Sequence, residues 1–361
     1  MEFIKQPSLS YLRDPRFWEM DVKFGGQKRT AAMILKDAKS LKTQSKYDQA
    51  WDNFCRFNDN ADVRELTEEI FIQYFDYLIR EKKFVYSTLW SIFSMLNSES
   101  QVRSGPKLND YARLILLIKS QEKGYSPKQG SILSSEEIDQ FLENAPFTGF
   151  YTLQKAALVI GMFGGLRCNE MANLVTTDIS KSGDNGYWVE YSVSKQKQDN
   201  VRNKFYIPEK HASHITGYLD CIGKHEGRFF CTFVASEKGN FESGTFKTTH
   251  PMGKNTLAKI PSQIALFLNL PNHSTYTGHS FRRSSATLYA NAGASSLNLK
   301  QHLNWKSDAV VMRYINQSTS QKVTMSNLIS GGNQITTNNA SREKNDHIIN
   351  ISDCSNIVIH L

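Results

Sequence analysis

Apolar residues at helical spacing in the first third of this 361-residue chain limit most strongly what it can fold into. Tyr47, Trp51 and Phe54 fall at positions i, i+4 and i+7, so a helix places all three on one face. Further stripes of the same period follow, and Thr67 and Ser87 are the predicted N-caps of two of these helices. The pattern predicts an all-helical first domain.

A segment without periodicity then separates two regions of the chain. Residues 123–131 combine glycine, proline and lysine, a composition typical of a linker. Helical signals resume directly afterwards, where Ser134 and Glu137 fit a capping box. A second domain therefore begins at about this point.

One region of the second domain alternates in the manner of β-strands. Residues 187–207 contain two runs of β-forming residues on either side of a polar turn. Lys195 and Lys197 lie in that turn. We predict a β-hairpin with a basic tip.

The predicted fold class is mainly α with a small β-sheet, in which a helical domain precedes a mixed α/β domain. The strand-like tail at residues 346–361 either reaches the sheet edge of a neighbouring chain or folds back on its own domain. The predicted boundaries are an irregular N-terminal arm (1–31), a helical domain (32–122), a linker (123–131), a mixed domain (132–330) and a polar tether with the tail (331–361).

Composition narrows the choice of partner and compartment. A net charge of +8 suits a polyanionic partner without requiring one. The five cysteines are scattered and lack metal-ligand spacing. The sequence shows neither a secretory signal nor an apolar stretch of the roughly 20 residues that span a bilayer. We expect a soluble intracellular protein.

Two arginines form the predicted centre of the chemistry. A phosphodiester resists a nucleophile until its negative charge is neutralised. Arg167 and Arg282 are the predicted clamp, because guanidinium donors match phosphate oxygens in a planar, bidentate way. Glu170, three residues after Arg167, is expected on the same helical face, where it would orient that arginine. Each spacing alone is more often a solvated surface pair, so only the order of the whole set gives it weight.

Tyr314 is the predicted nucleophile, nine residues after Trp305. A phenol is mostly protonated at neutral pH because its ordinary pKa is about 10, so it needs a base. His279 is the predicted base, and the indole N–H of Trp305 can donate to a phosphate oxygen. The leaving 5′ oxygen needs a proton, which we assign to Lys197 with Lys195 as the alternative.

In this order the residues resemble the tyrosine site-specific recombinases, the phage-integrase group. The matching motifs are Gly165-Leu-Arg167-Cys-Asn-Glu170, the hairpin with Lys195 and Lys197, His279-Ser-Phe-Arg282, and Trp305 through Tyr314. Within that group the chain is most like the eukaryotic Crypton-type recombinases. Arg283 and Trp305 carry this finer resemblance, since many bacterial relatives have histidine at both positions.

The resemblance implies a core-binding domain followed by a catalytic domain. It implies a reaction through a 3′-phosphotyrosine that requires no metal, ATP or other cofactor. His302, three residues before Trp305, is the weaker alternative to His279 as the base. The residues expected around the phosphate are Arg167, Lys197, His279, Arg282 and Trp305, with Tyr314 as the attacking group.

The resemblance also implies double-stranded DNA as the partner and four subunits linked by exchanged tails. The Crypton likeness implies a transposon enzyme, or a host protein derived from one, in the nucleus. The side chains expected to contact DNA are Lys82, Lys83, Lys119, Lys195, Arg202, Lys204 and Arg283.

Three other functions compete with an active recombinase. A domesticated DNA-binding protein without catalysis would be expected to have lost a catalytic residue, and every expected position is filled here. A type IB topoisomerase shares the chemistry, but the short chain and the tail favour recombination. A metal-dependent nuclease fits poorly, because no clustered carboxylates suggest a pair of magnesium ions.

Overall fold

The structure is a computed structural model that describes residues 39–59, 62–127, 129–193 and 202–330. The chain divides into two compact units between Lys128 and Gln129, within the predicted linker. The described part is mainly helical with two small sheets, as the sequence predicts. None of its helices is long and apolar enough to cross a membrane.

The first unit contains four described α-helices. They are α1 (Leu41–Phe57), α2 (Glu68–Arg80), α3 (Tyr86–Val102) and α4 (Ala112–Ser120), with short 3₁₀ turns at Val63–Glu65 and Leu108–Asp110. Their apolar faces meet in one core that includes Trp51, Phe54, Phe71 and Phe75. Two positions of the predicted stripe, Trp51 and Phe54, are therefore confirmed as core-facing, whereas Tyr47 is only half-buried and lies outside this core.

The two predicted caps in this unit differ in outcome. Thr67 is the N-cap of α2, although its side chain makes no capping hydrogen bond. The prediction for Ser87 is wrong, because α3 begins at Tyr86 with Val85 at the N-cap. The Ser87 hydroxyl instead accepts a hydrogen bond from the Tyr125 hydroxyl at 2.7 Å.

The second unit is built around a long apolar helix. Its helices are α5 (Ser135–Asn144), α6 (Gly149–Gly164), α7 (Cys168–Asn173), α8 (Glu209–Ile222), α9 (Lys254–Leu257), α10 (Ile260–Phe267), α11 (Ser280–Asn291), α12 (Ser296–His302), α13 (Asp308–Gln317) and α14 (Thr319–Ile329), with 3₁₀ turns at Thr176–Asp178 and His273–Thr275. Helix α6 is buried along most of its length, as expected for a helix that is apolar on every side.

The capping box predicted at the start of α5 is confirmed. The Ser134 hydroxyl accepts from the Glu137 backbone N–H at 3.2 Å, and the Glu137 carboxylate accepts from the Ser134 backbone N–H at 2.8 Å. The box satisfies two N–H groups that a helix start leaves without partners.

The predicted hairpin forms the larger of two sheets in this unit. Strands β2 (Tyr187–Ser192) and β3 (Arg202–Ile207) are antiparallel, and β1 (Ile179–Lys181) adds a short third strand beside β2. The burial of β2 alternates as its sequence does. A second sheet of β4 (Cys231–Ala235) and β5 (Gly244–Pro251) falls outside the predicted strands, because these short segments show no clear alternation of buried and exposed residues.

Candidate active site

Arg167 lies just beyond the C-terminal end of α6. Gly165 ends that helix with a left-handed backbone (φ +53°), where a Cβ atom would collide with the Leu303 side chain. The chain then turns, so that Arg167 becomes the N-cap of α7. Glycine at this position therefore permits both the turn and the close approach of Leu303.

The Arg167 and Glu170 side chains form an ion pair, but not on one helical face as expected. Arg167 precedes α7, and its backbone N–H donates to one carboxylate oxygen of Glu170 while its Nη1 donates to the other, both at 2.8 Å. The Glu170 side chain is 1% exposed and the Arg167 side chain 19%. The carboxylate is buried against the arginine and fixes the direction of the guanidinium.

Arg282 lies in the first turn of α11 and is buried. Its Nη1 donates to the Gly165 carbonyl at 2.6 Å, and its Nη2 donates to the Leu303 carbonyl. Burial, followed by the nearby positive charge of Arg167, lowers the pKa of Arg282 to about 10. The guanidinium is therefore still charged at neutral pH.

Trp305 and Tyr314 complete a continuous set of contacts with Arg282. The Arg282 guanidinium carbon lies 5.5 Å from the centre of the Trp305 ring. Trp305 stacks on Tyr314 with 5.0 Å between ring centres and an interplanar angle of 22°. Both aromatic side chains are half-buried. Tyr314, from α13, is thereby connected to Arg282 through the Trp305 ring.

A cavity of about 300 Å³ opens next to these residues. Arg167 and Trp305 line it together with Asn304, Lys306, Ser307 and the apolar Val193 and Val310. Guanidinium, indole N–H, ammonium and hydroxyl groups are all hydrogen-bond donors to an anion. The polar part of the cavity lining is therefore chemically suited to a phosphate group.

His279 is exposed at the N-cap of α11. The Cys168 thiol donates to the carbonyl of Gly278 at 3.0 Å, which holds the start of α11 against the start of α7. Arg167 directly precedes Cys168 and His279 directly follows Gly278, so this contact brings the two chain segments that carry them together. Among the described residues, no hydrogen bond or ring contact joins the His279 imidazole to Arg282, Trp305 or Tyr314.

His302 contacts different side chains from those of Trp305 and Tyr314. Its Nε2 lies 3.4 Å from the Ser285 hydroxyl, and its ring meets the edge of Tyr289 at 5.3 Å. Burial and the charge of Arg282 lower the pKa of His302, which favours the neutral imidazole. These partners give no support to His302 as the base for Tyr314.

Three of the predicted DNA contacts already have partners inside the second unit. Arg202 pairs with Asp178 and, at 3.6 Å, with Glu190. Lys204 lies 5.0 Å from the centre of the Trp188 ring. Arg283 donates to the Gly130 carbonyl and, at 2.8 Å, to the Gln129 side chain, so it holds the start of this unit in place.

The remaining basic residues are exposed or outside the described residues. Lys82, Lys83 and Lys119 are exposed on the first unit, and Lys82 lies 5.4 Å from the centre of the Tyr77 ring. Lys195, Lys197 and the tail at 346–361 fall outside the described residues. Among the described residues, no group of three His, Cys, Asp or Glu side chains is arranged to hold a metal ion.

Two side chains, Asn304 in the cavity lining and its partner Tyr191, were not predicted as part of the site. The Asn304 amide donates to the Tyr191 hydroxyl at 2.8 Å, which joins the hairpin to the segment before Trp305. The alternation of β2 predicts an inward-facing Tyr191 but not its partner. No sequence signal points to Asn304.

The fold and the site define a class of protein, namely a two-unit, mainly helical protein in which Arg282, Trp305 and Tyr314 form one set of contacts next to a cavity that Arg167 lines. The family model described as "Phage integrase family" matches residues 131–321, which is more than half of the chain. The chain belongs to this family, the tyrosine recombinases.

Several solved structures share this fold. A Tn1549 transposon integrase in complex with transposon right end DNA has a TM-score of 0.57 at 15% identity, covering 83% of this chain and 100% of that one. The XerH site-specific recombinase bound to palindromic difH substrate has a TM-score of 0.55 at 15% identity, covering 84% and 86%. A lambda integrase dimer bound to a COC′ core site has a TM-score of 0.50 at 16% identity, covering 79% and 92%. No curated protein matches the chain.

Proposed function

We propose that this protein is a site-specific DNA recombinase, of the transposase type, that cleaves and rejoins strands through Tyr314. The observation that carries the proposal is the set of contacts from Arg282 through Trp305 to Tyr314 beside the Arg167–Glu170 pair. A tyrosine that stacks on an aromatic ring in contact with one arginine, near a cavity lined by a second arginine, is suited to attack on a phosphodiester held by those cations.

In the proposed reaction the Tyr314 Oη attacks the phosphorus of the scissile phosphate. Arg167 and Arg282 neutralise the charge that builds up on the non-bridging oxygens. His279 accepts the phenolic proton, and Lys197, or Lys195, gives a proton to the departing 5′ oxygen. The products are a 3′-phosphotyrosine and a free 5′-hydroxyl.

Rejoining is the reverse of this step on a new partner strand. A 5′-hydroxyl attacks the phosphotyrosine, and Tyr314 leaves with a proton. One phosphodiester is lost and one is formed, so the energy of the broken bond is kept in the covalent intermediate. The cycle therefore needs no ATP, and the proposed charge stabilisation comes from arginines rather than from a metal.

Duplex DNA is the proposed partner. The similar structures hold transposon right end DNA in the Tn1549 integrase, a palindromic difH substrate in XerH and a COC′ core site in lambda integrase, and exposed lysines on the first unit add positive charge. The resemblance to the family further suggests a tetramer on DNA, with residues 346–361 exchanged between subunits. The Crypton likeness suggests action in the nucleus.

Replacing Tyr314 by Phe tests the nucleophile directly. We expect the Tyr314→Phe variant to form no covalent complex on a nicked suicide substrate while it binds duplex DNA with near-normal affinity, because only the hydroxyl is lost. Tyr289→Phe is the matched control and should remain active. Undiminished covalent attachment in Tyr314→Phe would contradict the assignment, and binding without attachment by the unaltered chain would favour a catalytically silent DNA-binding protein.

A further inference from the structure

Asn304 combines an unusual backbone conformation with two side-chain hydrogen bonds. Its φ of +49° lies in the left-handed region, which asparagine tolerates better than most residues. Its Nδ2 donates to the Tyr191 hydroxyl at 2.8 Å, and its Oδ1 accepts from the Asn203 side chain at 3.0 Å. Both ends of the amide are therefore fixed.

The two partners are a directly opposed pair in the hairpin. Tyr191 on β2 and Asn203 on β3 face each other in the antiparallel register. The Tyr191 side chain is buried, and burial raises the pKa of its hydroxyl, which keeps that group protonated. Asn304 thus forms hydrogen bonds to both β2 and β3, at residues that lie directly opposite each other in the sheet.

The residues on either side of Asn304 belong to the site. The Leu303 carbonyl accepts from the Arg282 guanidinium, and Trp305 lies against Arg282 on one side and Tyr314 on the other. A rotation of the backbone at Asn304 would move that carbonyl and the Trp305 ring together. The position of the Arg282 charge therefore depends on how firmly Asn304 is held.

We propose that Asn304 is a positioning residue, which anchors the Leu303–Trp305 segment to the β2–β3 hairpin and so places Arg282 and Trp305 against the scissile phosphate. The inference rests on the proposed function. Small misplacements of a charged group that stabilises the transition state are costly to the rate, whereas overall folding depends on the much larger core.

Asn304→Gly is the informative variant, because glycine retains the left-handed backbone and removes only the amide. We expect single-turnover cleavage of a normal phosphodiester to fall by roughly 10- to 100-fold. The loss should be much smaller on a substrate with a neutral methylphosphonate at the scissile position, because an uncharged group depends less on Arg282. A merely structural defect would lower both rates alike.

Asn269→Gly is the matched control. It makes the same substitution at another left-handed asparagine of this unit (φ +53°), an exposed residue that makes none of the site contacts described above. Both substrates should be cleaved at the wild-type rate by this variant. Tyr191→Phe removes the hydroxyl that accepts from Asn304, and it provides the test if Asn304→Gly does not fold. We expect it to show the same dependence of the cleavage rate on the charge of the substrate. In the double variant the two losses of rate should not add.

Two outcomes overturn the inference. One is an unchanged rate in Asn304→Gly, and the other is an equal loss on the charged and the neutral substrate. In both cases the wild-type chain still forms the covalent product, so the proposed function stands. Absence of any covalent product from the wild-type chain would instead refute the proposed function, and the inference with it.

Discussion

Arg167 and Arg282 carry the same charge but are held by different partners. Arg167 pairs with the buried Glu170 carboxylate, which offsets much of its charge, whereas the described partners of Arg282 are two neutral carbonyls. The charge of the Glu170 carboxylate also acts on Arg282 and opposes the lowering of its pKa. The lowered pKa of Arg282, about 10, is the consequence of burying its positive charge near another cation.

Replacement of Arg282 should be more damaging than loss of charge alone. We expect Arg282→Ala to lower the single-turnover cleavage rate by several orders of magnitude, because it removes charge stabilisation and leaves two buried carbonyls without donors. Arg282→Lys should recover little, since an ammonium group cannot reproduce the planar fork. The same change at the exposed Arg80, which pairs with Asp76, is the control. Near-normal cleavage by Arg282→Lys would refute the requirement for the paired N–H donors of the planar guanidinium group.

Two buried basic side chains, Lys155 and His214, lie where helices α5, α6 and α8 pack together. Lys155 on α6 donates to the Leu142 carbonyl at the end of α5 at 2.8 Å, and its Nζ lies 3.8 Å from the centre of the Phe147 ring. His214 on α8 stacks on the same ring, and its Nδ1 has no hydrogen-bond partner among the described residues. Burial lowers the pKa of Lys155 to about 8, and burial with the charge of Lys155 lowers the pKa of His214 to about 4.

This packing makes the second unit sensitive to acid. Between pH 6.5 and about 4 the unfolded chain binds a proton on His214 while the folded chain does not, so stability falls as the pH falls through that window. We expect a loss on the order of 1–2 kcal/mol near pH 5 from this residue. His214→Phe should retain the stacking on Phe147 and reduce the dependence of the melting temperature on pH. If the melting temperature of His214→Phe depends on pH as strongly as that of the wild type, His214 is not the source of the acid sensitivity. The control is His273→Gln, which changes an exposed histidine.

On the scale of the whole molecule, the positive charge predicted to meet DNA is distributed over both units. In the second unit Arg202 and Arg283 already pair with a carboxylate or a backbone carbonyl, whereas Lys204 is exposed over Trp188 as Lys82 is over Tyr77. In the first unit Lys82 and Lys119 are exposed. We therefore expect the first unit to contribute strongly to non-specific DNA affinity.

Salt dependence of binding tests this distribution. Each neutralised phosphate contributes about 0.9 to the slope of log Kobs against log salt, so the double variant Lys82→Gln, Lys119→Gln should flatten the slope by about 2. Titration of labelled duplex DNA across a range of salt concentrations gives this quantity. Lys238→Gln, an exposed lysine outside the predicted set, should leave the slope unchanged. A slope that is equal in the double variant and the wild type would exclude these two lysines.

Assembly belongs to the same scale. If residues 346–361 link subunits, their deletion should leave DNA binding intact but reduce higher oligomers on DNA, because only the exchanged contact is lost. Size-exclusion chromatography of the protein–DNA complex with light scattering measures this. An unchanged distribution of oligomers would refute the exchange of residues 346–361 between subunits.

Local spacing determined much of this protein. The capping box at Ser134, the β2–β3 hairpin and the nine-residue interval from Trp305 to Tyr314 can all be read from neighbouring residues. Such features depend on the period of a helix or strand and on short-range hydrogen bonds, which the sequence specifies directly. The order of the predicted catalytic motifs belongs with them, since it alone indicates the family that the family model confirms.

Tertiary structure alone decided how those motifs are held. Arg282 and the Gly165 carbonyl are 117 positions apart, and Asn304 and Tyr191 are 113 apart, so no local pattern could pair them. Arg283 is a further example, because its positive charge predicts a contact with DNA but its guanidinium donates to the distant Gly130 carbonyl. A side chain's type and spacing limit what it can do, but its partner is selected by which distant backbone groups folding buries beside it.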